Sequence, residues 1–487
     1  ALIATLRKEN DFEPAHASLV LAAYDCLSTK KINQDVSKFG PTSAIFQVIH
    51  AINSNQEILP HIKQARIGPD WLLAFDLTVD FARTDLTLQM VRAFLAKKPS
   101  VSELFSVAES LMKRQAHLPD YIDFASFIRA LKLTRNACQA HARPQVMEKI
   151  NYQLAEAYGR AGQYDDALNL FSNLADGSLS RHARFTAAQT SIKARKYPEA
   201  CSWFARFLDI EFSRHEEEAG ELNEFKSFTA EPPKPKASFP NEVAGEALRE
   251  LYEVLAPLGL KPFLMSGTLL GFARHGGFLS HDKDVDVGLF GWQDQYAIFE
   301  HLLLDGKFIP NSKSLRGDSA FYMPVLHYKT GIPIDIFLFH EHGDHYQTGI
   351  NFGLEYTLTF QYSRFGLSEA EFCGTTVCVP DDIDRNLSEN FGPDWRTPDT
   401  TYESLLEAPS IDMKGDPVFM LVLWDKLLYG YVNKRPAKVR RVVKIAEAYA
   451  GNPLAPRPEL LARALQWCDR IEGLPVNAEV PLVAEPV

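Results

Sequence analysis

Six cysteines in 487 residues are too few and too scattered for a disulfide scaffold, which points to a reducing compartment. No run approaches the roughly 20 apolar residues that a membrane-spanning helix needs; the apolar run from Val418 to Trp424 is far too short. The opening residues, ALIATLRKENDFEP, lack the pattern of a signal peptide. The chain starts at Ala1 rather than Met, as a trimmed sequence would. Basic charge is also scarce: 51 Lys and Arg stand against 62 Asp and Glu, so the net charge is 51 − 62 = −11. A protein held on nucleic acid by a broad basic surface is thereby excluded. These absences lead us to expect a cytoplasmic protein. They also set a problem, because a phosphorylated ligand needs something local to reverse the acidic field.

Hydrophobic residues make up 46% and charged residues 23% of the chain, an ordinary globular balance. Its length predicts two or three domains. Residues 1–213 read as helical throughout, with apolar positions at helical spacing and little Pro or Gly. Within them, Leu154 to Phe171 has the spacing of a tetratricopeptide repeat, and Ala194 to Phe204 reads as a second copy. The offsets 197 − 164, 200 − 167 and 204 − 171 all equal 33, close to the repeat period of about 34 residues. We expect a tetratricopeptide-like domain that binds a protein partner or a second protomer rather than one that carries chemistry.

Residues 214–240, with Glu216-Glu-Glu218 and Glu231-Pro-Pro-Lys-Pro-Lys236, read as a polar linker. A helix is predicted from Asn241 to Leu258. Short strands, tight glycine turns and alternation follow, predicting an α/β domain over 241–400. Residues 401–487 are predicted to be a helical extension.

The chemistry concentrates between Met265 and Leu289. Ser266-Gly267-Thr268 follows a predicted strand and opens a predicted helix. Glycine at that point lets backbone N–H groups approach a phosphate, and the helix dipole favours the anion. Asp284 and Asp286 stand two apart in a strand-like run, so both carboxylates point to one face. An isolated pair of this kind is most simply a solvated strand edge. Here Val285, Val287 and Leu289 bury the other face, and like charges so close call for a cation. Hard oxygen ligands suit Mg2+ or Mn2+. Asp335 is a single charge inside the apolar run Ile332 to Phe339, which is costly without a partner. The separation 335 − 286 = 49 residues leaves room for a neighbouring strand. Three such carboxylates would make a divalent-metal site for phosphoryl transfer.

The run Gly267-Thr-Leu-Leu-Gly271, then Arg274-His-Gly-Gly-Phe278, then Asp284-Val-Asp-Val-Gly288 resembles the LicD/fukutin family of the nucleotidyltransferase-fold superfamily. Phe372-Cys-Gly-Thr-Thr-Val-Cys-Val-Pro380 and Leu387-Ser-Glu-Asn-Phe-Gly392-Pro-Asp-Trp395-Arg-Thr-Pro398 extend the likeness, with Phe391 where the family commonly has Tyr. The resemblance covers about 160 residues, from Phe239 to roughly Thr400. It implies a nucleotidyltransferase-fold enzyme that transfers a phospho-alditol or phosphocholine-type group from a CDP-linked donor to a glycan hydroxyl. In that reading Asp284, Asp286 and Asp335 are catalytic and hold the metal, and Gly267 and Thr268, with Ser266, cradle the diphosphate. Arg274 stabilises phosphate charge and Asp282 supports the site from behind. Lys283 replaces an acidic residue of the family pattern. His275, Arg316, Tyr322, His327 and Lys329 are weaker candidates for nucleotide or acceptor contact. The pathway implied is a bacterial capsule or teichoic-acid-like polymer.

Cys373 and Cys378 read as two buried or half-buried thiols on a hairpin, not as zinc ligands. Lys426, Lys434, Arg435, Lys438, Arg440, Arg441 and Lys444 form a basic tail with Trp424, Tyr429 and Tyr431 nearby. Such a tail suits peripheral contact with the anionic inner face of a membrane, or equally a solvated helix surface. Two other readings compete with the transferase. One is an Asp-x-Asp glycosyltransferase using a nucleotide sugar; the other is a repeat scaffold with an inactive transferase domain.

Overall fold

A computed structural model of the chain describes residues 48, 69–80, 82–115, 118, 122, 124–217, 241–280, 282–290, 294–310, 321–352 and 356–473. Arg316 and nearly all of the linker 214–240 lie outside them. The described residues fall into two compact units that meet in sequence at Trp203 and Phe204.

The first unit is helical: α1 (Pro69–Asp80), α2 (Thr84–Leu95), α3 (Val101–Gln115), α4 (Phe124–Cys138), α5 (Pro144–Arg160), α6 (Tyr164–Leu174), α7 (Ser180–Lys193) and the start of α8 (Tyr197–Glu217). Two of its helices end in a left-handed turn, of the kind that also occurs at Ala82 and Lys434. Gly162 and Arg195, 33 apart, both take positive φ (73° and 56°). After them, Gln163 N–H reaches back to Tyr158 O and Lys196 N–H to Ser191 O, at 2.9 and 2.8 Å. Each pair closes a helix with the same left-handed turn. Glycine takes that φ freely, whereas Arg195 does so at a cost. Between α5 and α6, the small Ala157 and Ala167 are fully buried, and Tyr152 meets Phe171 edge to face at 5.7 Å.

The second unit contains the rest of α8, α9 (Asn241–Leu255), β1 (Phe263–Leu264), α10 (Ser266–His275), β2 (Val285–Phe290) and α11 (Gln295–Asp305). Next come β3 (Phe308–Pro310), β4 (Tyr322–His327), β5 (Pro333–His342), β6 (His345–Phe352), β7 (Tyr356–Ser363), β8 (Leu367–Phe372) and β9 (Thr375–Pro380). The chain then forms α12 (Ile383–Phe391), α13 (Ser404–Glu407), α14 (Pro417–Val432), α15 (Pro436–Glu447) and α16 (Pro458–Gly473). The strands make a mixed sheet in the order β3-β4-β5-β2-β1-β9-β8, with β6 on β5 and β7 on β6. β2 and β5 run parallel at its centre.

Strand alternation sorts the two faces of this sheet. Val285, Val287 and Leu289 of β2 and Ile334, Ile336 and Leu338 of β5 share one core with Leu248, Leu251 and Leu255 of α9 and Ile298 and Leu302 of α11. Asp286 and Asp335 therefore face away from that helical layer. Further along their own face, Phe263, Phe290, Phe339 and Phe365 pack with ring centroids 5.1–5.9 Å apart. Gly288 makes room for them: a Cβ there would lie 2.2 Å from the Phe263 ring.

β8 and β9 form the expected hairpin. Cys373 and Gly374 turn it with φ of 49° and 76°, and Cys378 is buried in β9. Among the described residues, no helix is long and apolar enough to cross a membrane. Several basic residues of the tail engage neighbours within the extension. Lys438 Nζ pairs with Glu403 at 2.5 Å and Arg441 with Glu407 at 2.6 Å. Arg440 pairs with Asp469 and Glu472, while Lys426 and Arg435 lie over the Tyr429 ring.

Candidate active site

The parallel register sets Asp286 directly opposite Asp335. Asp284 precedes β2 by one residue, and Asp282 stands before it at the end of the loop that follows α10. Burial first, and then the neighbouring charge of Asp284, pushes Asp282 and Asp335 each up to about 7. Asp286 is raised well above the usual carboxylate range, by burial first and then by Asp284, Asp335 and Asp282. The Gly267 N–H opposes this rise, donating to Asp286 Oδ2 at 2.8 Å. Tyr322, two residues along β4 from the position facing Asp335, hydrogen-bonds to the Asp335 carboxylate and also holds its pKa down. The same acidic surroundings, after burial, push the Tyr322 phenol far upward.

α10 brings its first turn against these carboxylates. Thr268 Oγ1 accepts the Asp286 backbone N–H at 2.8 Å, tying the helix start to β2. A Cβ at Gly267 would lie 3.0 Å from Asp286 Oδ2 and 3.3 Å from Asp282 Oδ1. Glycine is needed there for close approach. Ser266 itself has φ of 44°.

Ser266, Gly267, Thr268, Asp282, Asp284, Asp286 and Asp335 thus come together, with Tyr322 joining them. Other candidates stand elsewhere. Arg274 Nη2 donates to the carbonyl oxygens of Trp395 and Thr397, anchoring the segment after α12. His275 is exposed at the end of α10. Lys329 is exposed in the turn after β4 and pairs with Glu246 of the helical layer. His327 is fully buried between Thr330 and Glu250. Sequence reasoning missed Asn390, whose Nδ2 donates to Ser266 Oγ at 3.1 Å. It lies within the segment Leu387 to Pro398 that resembles the family, but its contact spans 124 residues and the motif alone gives it no role.

The donor set can be tested against a divalent cation. Among the described residues, no three His, Cys, Asp or Glu side chains converge closely enough to cage a metal with protein atoms alone. A hard cation such as Mg2+ is usually held by one or two carboxylates together with substrate phosphates. Asp282 Oδ2 is buried without a hydrogen-bond partner, and the raised carboxyls beside it carry mutual repulsion. That set suits a cation that arrives with a diphosphate.

The site is thus a mixed sheet whose central parallel strands present Asp-x-Asp and a third Asp beside the glycine-bearing start of a helix. Residues 259–382 match the family described as LicD/FKTN/FKRP, nucleotidyltransferase domain. The chain is 28% identical over 194 residues to ribitol-5-phosphate transferase FKTN of Mus musculus, covering 39% of this chain and 40% of that one. It is 25% identical over 189 residues to the Homo sapiens protein of that name, with the same coverage of each. An uncharacterized protein of Rickettsia prowazekii is 27% identical over 153 residues, covering 31% of this chain and 54% of that one. The chain thus spans about two-fifths of the length of the fukutin relatives it matches.

Proposed function

We propose that this protein transfers a phosphorylated alditol, or a related phospho-group such as phosphocholine, from a CDP-linked donor to a hydroxyl of a cell-surface glycan. The observation that carries the reading is the meeting of Asp282, Asp284, Asp286 and Asp335 with the Gly267 turn of α10. Similarity to ribitol-5-phosphate transferases favours ribitol phosphate as the group moved. A bacterial capsule or teichoic-acid-like polymer is the acceptor class we propose.

Asp284 and Asp286 would hold Mg2+ or Mn2+ together with the diphosphate, with Asp335 beside them as a further ligand or as the base; the metal when bound supplies positive charge against the diphosphate. The first turn of α10 would bind the same diphosphate through backbone N–H groups and the Ser266 hydroxyl, while the buried Thr268 ties that turn to β2. In the transfer, the acceptor oxygen forms a bond to the β-phosphorus while the bond from that phosphorus to the bridging oxygen breaks, and CMP leaves. The hydroxyl proton would pass to a carboxylate, Asp335 or a neighbour; the hydrogen bond from Tyr322 to Asp335 supports Asp335 in that role. The aromatic cluster on the same face limits water. The helical unit, read as tetratricopeptide-like, would bind a partner or a second protomer.

The test is nucleotide release. The protein is incubated with CDP-ribitol, CDP-glycerol, CDP-choline and a panel of nucleotide sugars, with Mg2+ and a glycan acceptor. CMP release that disappears in Asp284→Ala and Asp286→Ala supports the reading. Release of UDP or GDP would replace it with a glycosyltransferase, and no nucleotide binding at millimolar metal would leave a scaffold.

A further inference from the structure

Asn390 lies past the matched residues 259–382, in the segment Leu387 to Pro398 that also resembles the family, and it holds the start of α10. It is 4% exposed, on the last turn of α12, and its polar groups are engaged in three directions. Nδ2 donates to Ser266 Oγ at 3.1 Å, Oδ1 accepts from the Tyr362 hydroxyl at 3.2 Å, and the backbone carbonyl accepts from the Tyr402 hydroxyl at 3.0 Å. Tyr402 is fixed in turn by the helical extension. Lys438 Nζ donates to its carbonyl at 3.3 Å and pairs with the buried Glu403 beside it. Its ring also meets Phe391, with centroids 6.0 Å apart.

Ser266 needs such support. Its φ of 44° is one that a non-glycine residue holds only when its surroundings over-determine it. The position is consequential, because the next N–H, that of Gly267, donates to Asp286. A serine hydroxyl has one proton and two acceptor lone pairs. With Asn390 donating to its oxygen, the Ser266 proton is left to donate to an anion.

We infer that Asn390 is a positioning residue for the donor diphosphate. It pins the backbone of Ser266 and aims the Ser266 hydroxyl proton at a phosphate oxygen, and Tyr362, Tyr402 and Lys438 hold it in place. The helical extension is therefore part of the catalytic unit. The inference rests on the proposed reading of the carboxylate site, and its test separates the two.

If Asn390 only filled space, isosteric Asn390→Asp would be the mild change and Asn390→Ala the severe one. Positioning reverses that order. A carboxylate at 390 would accept the Ser266 proton and set negative charge beside the diphosphate. Binding of inorganic pyrophosphate and of CDP, each with Mg2+, is measured by calorimetry on variants whose circular dichroism matches wild type. Affinity is expected to fall about tenfold or more in Asn390→Asp and less in Asn390→Ala. The opposite order overturns the inference.

A second measurement needs no ligand. Amide hydrogen exchange across Met265–His275 is expected to quicken about tenfold in Asn390→Ala and in Tyr402→Phe, while peptides from β4 and β5 keep their wild-type rates. Unchanged exchange in both variants overturns the inference whatever the substrate. Wild-type protein that binds neither CDP nor pyrophosphate overturns the functional reading instead, and exchange alone then decides the role of Asn390.

Discussion

Crowded carboxylates make the metal-free domain lose stability as pH rises from about 4 to about 7. Asp282 and Asp335 each move from an ordinary 3.8 up to about 7 in the folded protein, and Asp286 moves the same way. A carboxyl with a raised folded pKa keeps its proton in the native state where the unfolded chain has already released it. The native state then binds more protons across that window, so unfolding becomes easier as pH climbs through it. Below the window both states are protonated and the penalty is absent; above it the penalty is complete. One fully buried carboxyl shifted this far would account for about 4 kcal/mol. These residues are half-buried and titrate as a group, so the cluster as a whole is worth on the order of 2–4 kcal/mol.

Asp335→Asn removes one of the repelling charges and keeps an oxygen that can accept from Tyr322. Near pH 8 without metal it is expected to stabilise the domain by about 1–3 kcal/mol, with little effect near pH 4. A divalent cation is expected to stabilise wild type near pH 8 by about 2.7 kcal/mol when present at a hundred times its dissociation constant, and to do far less for the variant. The chain has two compact units, so a single global unfolding midpoint is a poor readout. Amide exchange of peptides carrying β2 and β5, corrected for the intrinsic rate at each pH and measured with EDTA or with Mg2+, reads the local free energy. Protection that is flat or rising between pH 4 and 8 in EDTA would refute the reasoning. So would lower protection in Asp335→Asn than in wild type near pH 8.

Gly267→Ala is expected to cut CMP release about tenfold or more, with little change in thermal midpoint, because its Cβ meets the ends of two aspartate side chains rather than backbone. Gly288→Ala is the opposite case. Its Cβ would lie 2.2 Å from the buried Phe263 ring, and amide exchange of peptides carrying β1 and β2 should show a loss of about 3 kcal/mol. Tyr322→Phe removes a hydrogen bond that lowers the Asp335 pKa, so the acidic limb of the pH–rate profile should move to higher pH; a shift the other way, or none, would remove Tyr322 from the site.

How much was readable beforehand depends on how local the cause is. Val285, Val287 and Leu289 alternate with Asp284 and Asp286, and that period alone indicates a strand with one apolar face and one acidic face. Asp335, alone in an apolar run, indicates a second such strand. What pattern cannot supply is register, and it is the parallel pairing of Asp286 with Asp335 that turns two strand motifs into one cluster. Arg274 shows the reverse limit. The family resemblance implied a phosphate ligand, yet its guanidinium reaches carbonyls 121 and 123 residues away. Asn390 makes the same point from the other side. The run Leu387-Ser-Glu-Asn-Phe-Gly392 belongs to the family likeness, but the motif does not say what its Asn does. Its importance comes from burial against Ser266, Tyr362 and Tyr402, three residues contributed by three separate segments of the chain. Motifs mark the groups that a reaction uses, because those groups must be particular residue types at fixed spacing. The residues that aim them need only arrive at the right place in the fold, and the fold can bring them from anywhere.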